Sequence, residues 1–359
     1  MKTKVLVVAT SRKTRGGITA VVKAHEKGEQ WEKYHCKWIE THRDGNSMRK
    51  LWYLIKSLIQ YAVILPFYDL VHIHVGLRKS VERKLIFAKL AKLFGKRIII
   101  HFHPATEKHL FENGLKDSLY KLFTYSDVLI VLSNQWISWI NKAFPGNNFT
   151  FRVLYNPCPN ATRNFCKKQS IILYAGILSD RKGYGRLISA FRVIAHHYPG
   201  WKLIFAGNGE IENGRKLAEE MGIATQIEFL GWVSGKEKEE AFQRASIYCL
   251  PSWGEGFPMG VLDAISYGVP IVTTSVGGIP DLIIDGRNGL IFDPYDTDML
   301  AKKLSILIES SEMRERLVYE ADKLMNNELN VVNVNNGLSK IYEEIFGGKI
   351  KNKFQKNIN

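Results

Sequence analysis

Short runs of β-branched residues alternate with amphipathic segments along most of the chain. Val5–Ala9 reads VLVVA, Ile98–Phe102 reads IIIHF and Ile247–Leu250 reads IYCL, and a segment with helical periodicity follows each run. Strands that are separated by helices pair in parallel, with the helices covering both faces of the sheet. Because the alternation occurs twice, on either side of the polar segment 156–170, it predicts two doubly wound α/β domains.

Length and composition agree with a globular protein of two domains. The chain has 359 residues, of which 45% are apolar and 24% are charged, and single domains of this length are uncommon. We expect an N-terminal domain over residues 1–160 and a second domain over 168–332. A helix within 333–347 is expected to cross back to the N-terminal domain, and 348–359 are expected to form a frayed tail.

Cysteine usage and hydropathy bear on where the protein works. The four cysteines are scattered and form no CxxC pair, which argues against a disulfide framework and favours a reducing cytoplasm. No apolar run reaches about 18 residues, and the start of the chain fits a strand better than a signal peptide. We therefore expect no membrane-spanning helix.

The basic residues are concentrated in the first half of the chain. Residues 1–165 contain 27 Lys and Arg against 11 Asp and Glu, whereas the remainder contains 23 against 24. The formal net charge of +15 thus belongs to the first half, which we expect to face an anionic partner such as a membrane or a phosphorylated substrate. Nucleic acid is not expected as a partner, because no recognised binding motif accompanies the charge.

One segment of the first half combines this charge with apolar residues. Arg49–Tyr68 reads RKLWYLIKSLIQYAVILPFY, with basic residues near its start and aromatic residues along it. An amphipathic helix at a membrane interface would have this composition. A core helix of the first domain would have it too, and the sequence leaves both interpretations open.

Loops that follow parallel strands are the usual ligand sites of α/β sheets. After the first strand, SRKTRGG places Gly16 and Gly17 before a helix, where backbone amides and the helix N-terminus suit an anion. In the second half, Arg181 and Lys182 follow a strand and suit a phosphate group. Each loop is also compatible with an ordinary solvated turn.

Histidines occur in pairs near the ends of two predicted strands. VHIHV and IIIHFHP each place two histidines on one face of a strand. A metal site formed by His72, His74, His101 and His103 is one interpretation. We favour the other, in which the histidines line the ligand cleft or satisfy buried polar groups, because no carboxylate accompanies them. Of the four, His103 is the best placed for the cleft.

The segment Glu255–Asp263, EGFPMGVLD, follows the predicted strand IYCL. Proline is favoured in the first turn of a helix, so we expect a helix to begin around Pro258. The amides of Gly256, Phe257 and Met259 would then lie at a helix N-terminus, where a phosphate binds well.

Two carboxylates flank this expected phosphate position. Asp263 lies five residues beyond Pro258, which is about 7.5 Å along a helix axis. It could reach a nucleotide ribose, while Glu255 could accept hydrogen bonds from the hydroxyls of an attached sugar. The alternative makes Glu255 a partner of the helix dipole and Asp263 a solvated surface residue.

Together these motifs resemble family 4 glycosyltransferases. Members of that family are retaining, nucleotide-sugar-dependent enzymes with the GT-B fold, in which two Rossmann-like domains face each other across a cleft. EGFPMGVLD followed by AISYGVPIVTTSVGGIPDLI is similar to the family signature, and AGILSDRKG and DGRNGLIFDP are similar to neighbouring motifs. The resemblance is specific over 171–293 and thinner in the first half, where it rests on Gly16-Gly17, YDLVHIH and IIIHFHP.

The resemblance implies roles for single residues of the second half. Lys182 would neutralise the donor diphosphate, Glu255 would contact the donor sugar at the catalytic centre, and Asp263 would contact the ribose. The residues implied as catalytic are Glu255, Lys182 and His103. Those implied as donor-binding are Gly16, Gly17, Arg181, Lys182, Asn208, Val233, Glu255, Gly256, Phe257, Pro258 and Asp263.

Further roles concern the first half and the base. The resemblance implies that Gly16-Gly17 lie against the diphosphate or the acceptor and that His103 lies beside the transferred sugar. Backbone near Val233 would meet the base. Two departures from the family pattern affect donor binding. Ile177 occupies the place of an expected Arg, for which Arg181 could substitute, and Asp263 is shorter than the usual Glu by about 1.5 Å.

The implied activity is transfer of a hexosyl or N-acetylhexosaminyl group from a nucleotide-sugar, with a UDP-sugar favoured and a GDP-sugar possible. No metal or other cofactor is expected. With the basic first domain, the favoured acceptor is a lipid-diphosphate-linked sugar at the inner face of the cell membrane, in assembly of O-antigen or capsule. The alternatives are a soluble acceptor or a non-catalytic nucleotide-sugar-binding protein. A nicotinamide-dependent dehydrogenase is disfavoured, because GxGxxG does not follow the first strand.

Overall fold

A computed structural model describes residues 3–76, 78–104, 106–112, 114–348 and 350 of the chain. The chain divides into two compact units, each built around one six-stranded sheet. The first unit comprises the residues up to Pro157 together with those from Val331 onwards, and the second comprises Cys158–Asn330. The predicted α/β class with two doubly wound parallel sheets is confirmed.

The first unit alternates strands and helices, as the sequence predicts, although two of its helices, Glu29–Lys33 and Leu115–Thr124, were not predicted. Its strands are β1 (Val5–Ala9), β2 (Lys37–Glu40), β3 (Leu70–Val75), β4 (Arg97–Phe102), β5 (Val128–Val131) and β6 (Phe151–Val153). Its helices up to residue 157 are α1 (Gly17–His25), α2 (Glu29–Lys33), α3 (Ser47–Ile64), α4 (Lys79–Leu93), α5 (Leu115–Thr124) and α6 (Asn134–Ala143). The strands lie in the order β2-β1-β3-β4-β5-β6, and every pair is parallel.

Helices on both faces explain the composition of these strands. All residues of β1 and β3 are buried, so the strands are nearly continuous apolar runs instead of alternating ones. Leu6 and Val8 belong to a core on one face of the sheet, whereas Val5 and Val7 belong to a second core on the other face.

The second unit repeats this architecture. Its strands are β7 (Ile171–Ala175), β8 (Lys202–Ala206), β9 (Ile227–Gly231), β10 (Ile247–Leu250), β11 (Ile271–Thr274) and β12 (Leu290–Phe292). Its helices are α7 (Tyr184–Ile194), α8 (Ile211–Glu220), α9 (Gly235–Arg244), α10 (Met259–Ser266), α11 (Thr297–Glu309) and α12 (Ser311–Leu324). The strands are parallel throughout, in the order β12-β11-β10-β7-β8-β9.

Short helical turns connect several of these elements. The 3-10 turns are Leu65–Phe67, Glu107–Leu110, Phe165–Lys167, Asp180–Lys182, Ala224–Gln226 and Ile279–Asp281, and Met325–Leu329 is a π-helical turn. The turn at Asp180–Lys182 matters most for function, because it holds two basic side chains directly after β7.

The last helix, α13 (Val331–Phe346), belongs to the first unit. Its apolar face, including Leu338 and Ile345, packs in the core that covers one face of the first sheet. The predicted tail 348–359 lies largely outside the described residues. Ile350, which is described, is buried in the same core, and its carbonyl accepts a hydrogen bond from Arg97 Nη1 at 3.2 Å.

Each sheet contains one point at which strand addition changes side. In the first unit, β2 and β3 lie on opposite sides of β1, and in the second, β8 and β10 lie on opposite sides of β7. The loops beyond the carboxyl ends of the two strands at such a point diverge and leave a crevice in which ligands bind. The loops after β1 and β3, and those after β7 and β10, are therefore the places to look for a site.

Candidate functional site

The loops after β7 and β10 bring the two main predicted site residues of the second unit together. Lys182 lies in the turn after β7 and Glu255 in the loop after β10. Lys182 Nζ donates a hydrogen bond to Glu255 Oε1 at 2.9 Å, and Arg181 Nη1 lies 3.6 Å from the same oxygen. The Glu255 side chain is only 6% exposed, so a buried carboxylate is flanked by two cations at the strand-order change.

Neighbouring residues that the sequence did not single out hold Glu255 in place. Ser252 Oγ, which is fully buried, lies 2.8 Å from Glu255 Oε1 and donates to it. Gly277 has a φ of +61° and packs so closely on the Glu255 carbonyl that a Cβ at this position would collide with it. The amide of Gly278 donates to the Gly256 carbonyl at 2.8 Å. The Gly-Gly pair after β11, a weak signal by itself, thus supports the backbone of the Glu255 loop.

The helix after this loop begins one residue later than the sequence predicts. Pro258 precedes the helix with extended ψ, and α10 begins at Met259. Gly256, Phe257 and Pro258 are all buried, so the loop is packed on the domain. The N-terminus of α10 follows Glu255 directly and brings a positive partial charge to this site.

Asp263 is not the solvated surface residue of the alternative interpretation. It is 4% exposed, on the last turn but one of α10, and its Oδ2 lies 2.6 Å from Lys238 Nζ of α9. Burial raises the pKa of Asp263, and the charge of Lys238 and its hydrogen bond oppose that rise. Lys238 was missed from the sequence because it lies among the charged residues GKEKEE, where nothing distinguishes it.

The remaining predicted donor residues of the second unit lie at the carboxyl ends of neighbouring strands. Asn208 is exposed after β8, and Val233 is partly exposed between β9 and α9. Ile177, where the family pattern has Arg, is 51% exposed and has no charge to offer. Arg181, the proposed substitute, donates to the Gly254 carbonyl and is also close to Glu255.

In the first unit, the loop after β1 holds its predicted glycines at the surface. Gly16 has a φ of +139°, which favours glycine, and Gly17 begins α1. Both glycines are exposed. Arg12 of the same loop is engaged by Glu26 and Glu40, with Nη1 3.0 Å from Glu40 Oε1. Its charge is therefore already compensated within the unit.

The four predicted histidines do come together, and His25 of α1 joins them. His72 Nε2 lies 3.3 Å from His101 Nδ1, and His74 Nδ1 lies 3.0 Å from His103 Nε2. Histidines two residues apart in the chain stack on each other. The ring centroids of His72 and His74 are 4.5 Å apart, and those of His101 and His103 are 4.2 Å apart. We call these five side chains the imidazole layer. His25 was not predicted from the sequence, because no second histidine lies two residues away from it.

The geometry of the imidazole layer is that of hydrogen-bonded neutral rings. Ligand atoms of His72, His74 and His101 lie within 4.8 Å of one another, but the rings of His72 and His101 are inclined by only 7°. Nearly parallel rings direct their lone pairs into parallel planes, whereas a tetrahedral zinc site needs lone pairs that converge on one point. This arrangement fits neutral rings packed in the interior better than a metal site: His72 Nδ1 lies 2.7 Å from the Tyr342 hydroxyl, and His74 Nε2 and His101 Nε2 have no partner among the described residues.

Helix α3 covers most of residues 49–68, for which the sequence left a membrane-interface helix and a core helix both open. Ser57 and Tyr61 are buried on one face, and Tyr61 donates to the Phe87 carbonyl at 3.0 Å. The opposite face is apolar and exposed, from Met48 (78% exposed) to Val63 (65%). Its exposed apolar side chains are Met48, Leu51, Trp52, Ile55, Ile59 and Val63, which we call the α3 apolar stripe. Among the described helices, α3 included, none has the length and apolar character needed to cross a bilayer.

Comparisons with known proteins identify the relatives of this chain. Residues 161–324 match the family described as glycosyl transferases group 1. An uncharacterized glycosyltransferase of Haemophilus influenzae is 28% identical over 229 residues, which cover 63% of this chain and 62% of that protein. A D-inositol 3-phosphate glycosyltransferase of Corynebacterium jeikeium is 30% identical over 53% of this chain and 51% of its own length. The chain thus spans less than two thirds of the length of these relatives.

A solved structure bears on the fold of the whole chain. The crystal structure of Anabaena Alr3699/HepE in complex with UDP-glucose has a TM-score of 0.77 at 18% identity, covering 95% of this chain and 99% of that chain. This likeness confirms the GT-B fold class. The family match, which lies inside the second unit, supports a group 1 glycosyltransferase.

Proposed function

We propose that the protein is a retaining glycosyltransferase that moves a sugar from a nucleotide-sugar donor to a lipid-diphosphate-linked saccharide. A UDP-sugar is the favoured donor and a GDP-sugar the second choice, and the role is assembly of a bacterial surface polysaccharide such as O-antigen or capsule. One observation carries the proposal: the buried Glu255 carboxylate beside Lys182 and Arg181 at the strand-order change of the second unit.

The cations at this site suit the leaving group of such a reaction. As the bond between the anomeric carbon and the diphosphate oxygen breaks, negative charge develops on the diphosphate. Lys182, Arg181 and the N-terminus of α10 would stabilise that charge without having to reorganise. The acceptor hydroxyl oxygen attacks the anomeric carbon from the face that the diphosphate leaves, and its proton passes to the leaving phosphate oxygen.

The ion pair of Lys182 with Glu255 is then the ligand-free arrangement of the same groups. A bound diphosphate would take over Lys182, and the oxygens of Glu255 would become available to accept hydrogen bonds from hydroxyls of the donor sugar. Gly256 and Phe257 would flank the diphosphate, Asp263 would accept from the ribose, and Val233 would lie near the base. His103, Gly16 and Gly17 would act from the first unit.

The lipid part of the acceptor is supported by the first unit. The α3 apolar stripe is exposed, and Lys50 and Lys56 of the same helix are basic. A helix with one apolar face and basic flanks binds at an anionic membrane surface. The first half of the chain carries the whole positive excess, which such a surface attracts. We therefore place the protein at the inner face of the cell membrane.

Replacement of Glu255 tests the transferase. We expect Glu255→Gln to lower the turnover by about 10²- to 10³-fold, because an oriented charge is lost from the reacting centre. The assay is mass spectrometry of products from UDP-, GDP- and dTDP-sugars with a lipid-diphosphate-linked sugar. Glu219→Gln, at an exposed position of α8, is the matched control and should retain activity.

The result also separates the alternatives. A non-catalytic nucleotide-sugar-binding protein would make no product with any donor, and Glu255→Gln would alter only its affinity. If sugar is transferred to a free sugar or sugar phosphate and not to the lipid-linked acceptor, the protein is a glycosyltransferase but the proposed lipid-linked acceptor is wrong. The named acceptor of the Corynebacterium relative, an inositol phosphate, is the first soluble acceptor to try.

Membrane binding has its own test in vesicle flotation. We expect the protein to float with phosphatidylglycerol vesicles at low salt and to be released as the salt concentration rises. Ile55→Glu combined with Ile59→Glu should abolish flotation while the melting temperature is retained, because both side chains are exposed. Val193→Glu, at an exposed apolar position of α7, should float normally. A protein that stays soluble at low salt contradicts the membrane assignment.

A further inference from the structure

A group of basic side chains lies at the carboxyl end of β2, apart from the glycine loop. Thr41 and His42 follow β2, and Arg83 and Lys84 lie on α4. Lys84 is 1% exposed, and its Nζ donates to Thr41 Oγ1. We call His42, Arg83 and Lys84 the basic cluster. Burial lowers the pKa of His42; the nearby charges of Arg83, Lys50 of α3 and Lys84 act in the same direction, and Asp44 opposes them.

The two longer cations of the basic cluster have no ion pair. Across the described residues, no carboxylate forms an ion pair with Arg83 or Lys84. His42 has an acidic neighbour in Asp44, whose Oδ1 lies 3.8 Å from His42 Nε2 and whose side chain is 57% exposed. An ammonium group that is removed from water without a partner costs several kcal/mol. Burial, reinforced by the charge of Arg83, accordingly lowers the pKa of Lys84 well below its ordinary value.

Two nitrogen atoms of the cluster also have no partner. Arg83 Nε and His42 Nδ1 are buried and have no hydrogen-bond partner among the described residues. Thr41 Oγ1, in contrast, donates to the Ala9 carbonyl at 2.9 Å while it accepts from Lys84. A buried guanidinium nitrogen and a buried imidazole nitrogen with nothing to bind are uncommon in folded proteins. They indicate that a partner outside the chain completes the site.

The cluster adjoins one of the loops in which ligands of this sheet are expected to bind. The loop after β1 contacts the cluster directly, because the Ser11 amide and the Thr14 hydroxyl both donate to the His42 carbonyl, at 2.7 and 3.1 Å. That loop leads to Gly16 and the strand-order change of the first unit. On its other side, the segment after His42 continues into α3, whose apolar stripe begins at Met48.

We propose that the basic cluster binds the diphosphate of a lipid-linked acceptor. Arg83 and His42 would contact phosphate oxygens, and a phosphate bound there would favour the charged form of Lys84 behind Thr41. Arg, Lys and His donors match phosphate in charge and hydrogen bonding. An acceptor whose diphosphate lies here has its lipid at the α3 apolar stripe and its sugar toward the glycine loop. This inference rests on the proposed function and assigns residues to its acceptor.

Binding of a short lipid diphosphate tests the site without any transfer. Isothermal titration of the full chain with farnesyl diphosphate, in the presence of saturating UDP to occupy the donor site, gives the affinity. Farnesol, which lacks the diphosphate, should bind at least tenfold more weakly, because charge-assisted hydrogen bonds are lost. Inorganic pyrophosphate should compete with farnesyl diphosphate.

Two variants and one control locate the binding. Arg83→Gln and Lys84→Met should each weaken farnesyl diphosphate binding about ten- to hundredfold. Lys84→Met should also leave the melting temperature unchanged or raise it, because it removes a buried cation without a counter-ion. Lys142→Met, at an exposed lysine of α6, should change neither quantity.

Several results would overturn the proposal. If Lys84→Met lowers the melting temperature and leaves the affinity intact, the lysine is only structural. If Arg83→Gln weakens flotation with phosphatidylglycerol vesicles as much as it weakens farnesyl diphosphate binding, the cluster holds a membrane headgroup instead. A different result would contradict the proposed function and not the site: farnesyl diphosphate binds and Arg83→Gln weakens that binding, but no sugar is transferred. If Arg83→Gln transfers sugar with an unchanged KM for the acceptor, the assignment of the acceptor site to the basic cluster is wrong, whereas the proposed function still stands.

Discussion

Mild acid should weaken the first unit, because no carboxylate among the described residues pairs with the imidazole layer. His25 is 1% exposed and its Nδ1 lies 2.9 Å from Asn335 Oδ1. Gln30 Nε2 donates to the same oxygen, so Oδ1 is the acceptor and the His25 ring donates through Nδ1. Its Nε2 is then an acceptor, and it is buried without a partner among the described residues. A proton added there would place a charge where nothing stabilises it.

The size of the effect follows from the pKa of His25. Burial lowers that pKa from 6.5 to about 4, against a smaller opposing effect of the hydrogen bond to Asn335. Between these two values the unfolded chain binds more protons than the folded one, so the free energy of unfolding falls as the pH decreases from 7. At pH 5 the loss from His25 alone is about 2 kcal/mol. Burial lowers the pKa of His72, His74 and His101 as well, and these residues act in the same direction.

Hydrogen exchange on α1, β3 and β4 measures the effect where the layer lies. We expect the opening free energy of these amides, corrected for intrinsic exchange, to fall by about 2 kcal/mol or more between pH 7 and pH 5. His25→Asn keeps a donor toward Asn335 and removes the titrating ring, so it should reduce the pH dependence by about 2 kcal/mol. His196→Asn, at an exposed position, should leave the dependence unchanged. An opening free energy that is constant from pH 7 to pH 5 would refute the reasoning.

Two further predictions concern the second unit. Gly277→Ala should cost roughly 2 kcal/mol or more and weaken UDP binding, because its Cβ would displace the Glu255 carbonyl. Gly286→Ala, with similar φ but no atom near the added Cβ, should cost only about 1 kcal/mol, and thermal unfolding with UDP titration compares the two. For the Lys238–Asp263 pair we expect Lys238→Met to cost about 3 kcal/mol and Asp263→Asn about 1 kcal/mol. Lys238→Met leaves the buried Asp263 carboxylate unpaired, whereas in Asp263→Asn the Lys238 side chain is 37% exposed and can reach water. Equal losses of the free energy of unfolding for the two variants, measured in urea, would contradict this expectation.

The sequence predicted the sheets well because their central strands are buried on both faces. Such strands are apolar runs with clear ends, and the predicted Ile247–Leu250 matches β10 residue for residue. The last helix was harder to place, since its first turns read VVNVNNG, which has little helix propensity. In the structure it begins at Val331, where Asn335 accepts from Gln30 and Val334 packs in the core of the first unit. Tertiary contacts decide that boundary, and a single sequence does not show them.

The candidate site shows the same division between local and non-local signals. Proline and glycine chemistry placed the α10 start to within one residue, and the loop after β7 was recognisable from its two cations. Lys238, Ser252 and Gly277 could not be assigned, because each acts on a residue from a different loop or helix. Their contribution depends on the order of strands in the sheet, which brings loops distant in sequence to one edge.

The basic residues of the first half have different surroundings, and the net charge does not distinguish between them. Arg12 and Arg152 are matched by carboxylates of the same unit, so their charges hold the fold together and offer little to a partner. Lys50 and Lys56 accompany an exposed apolar stripe, where a basic charge favours an anionic surface. Lys84 is buried and donates to Thr41, and the buried Nε of Arg83 has no hydrogen-bond partner among the described residues. We therefore expect the excess charge to serve two kinds of partner: the proposed membrane surface at α3 and the proposed phosphate group at the end of β2.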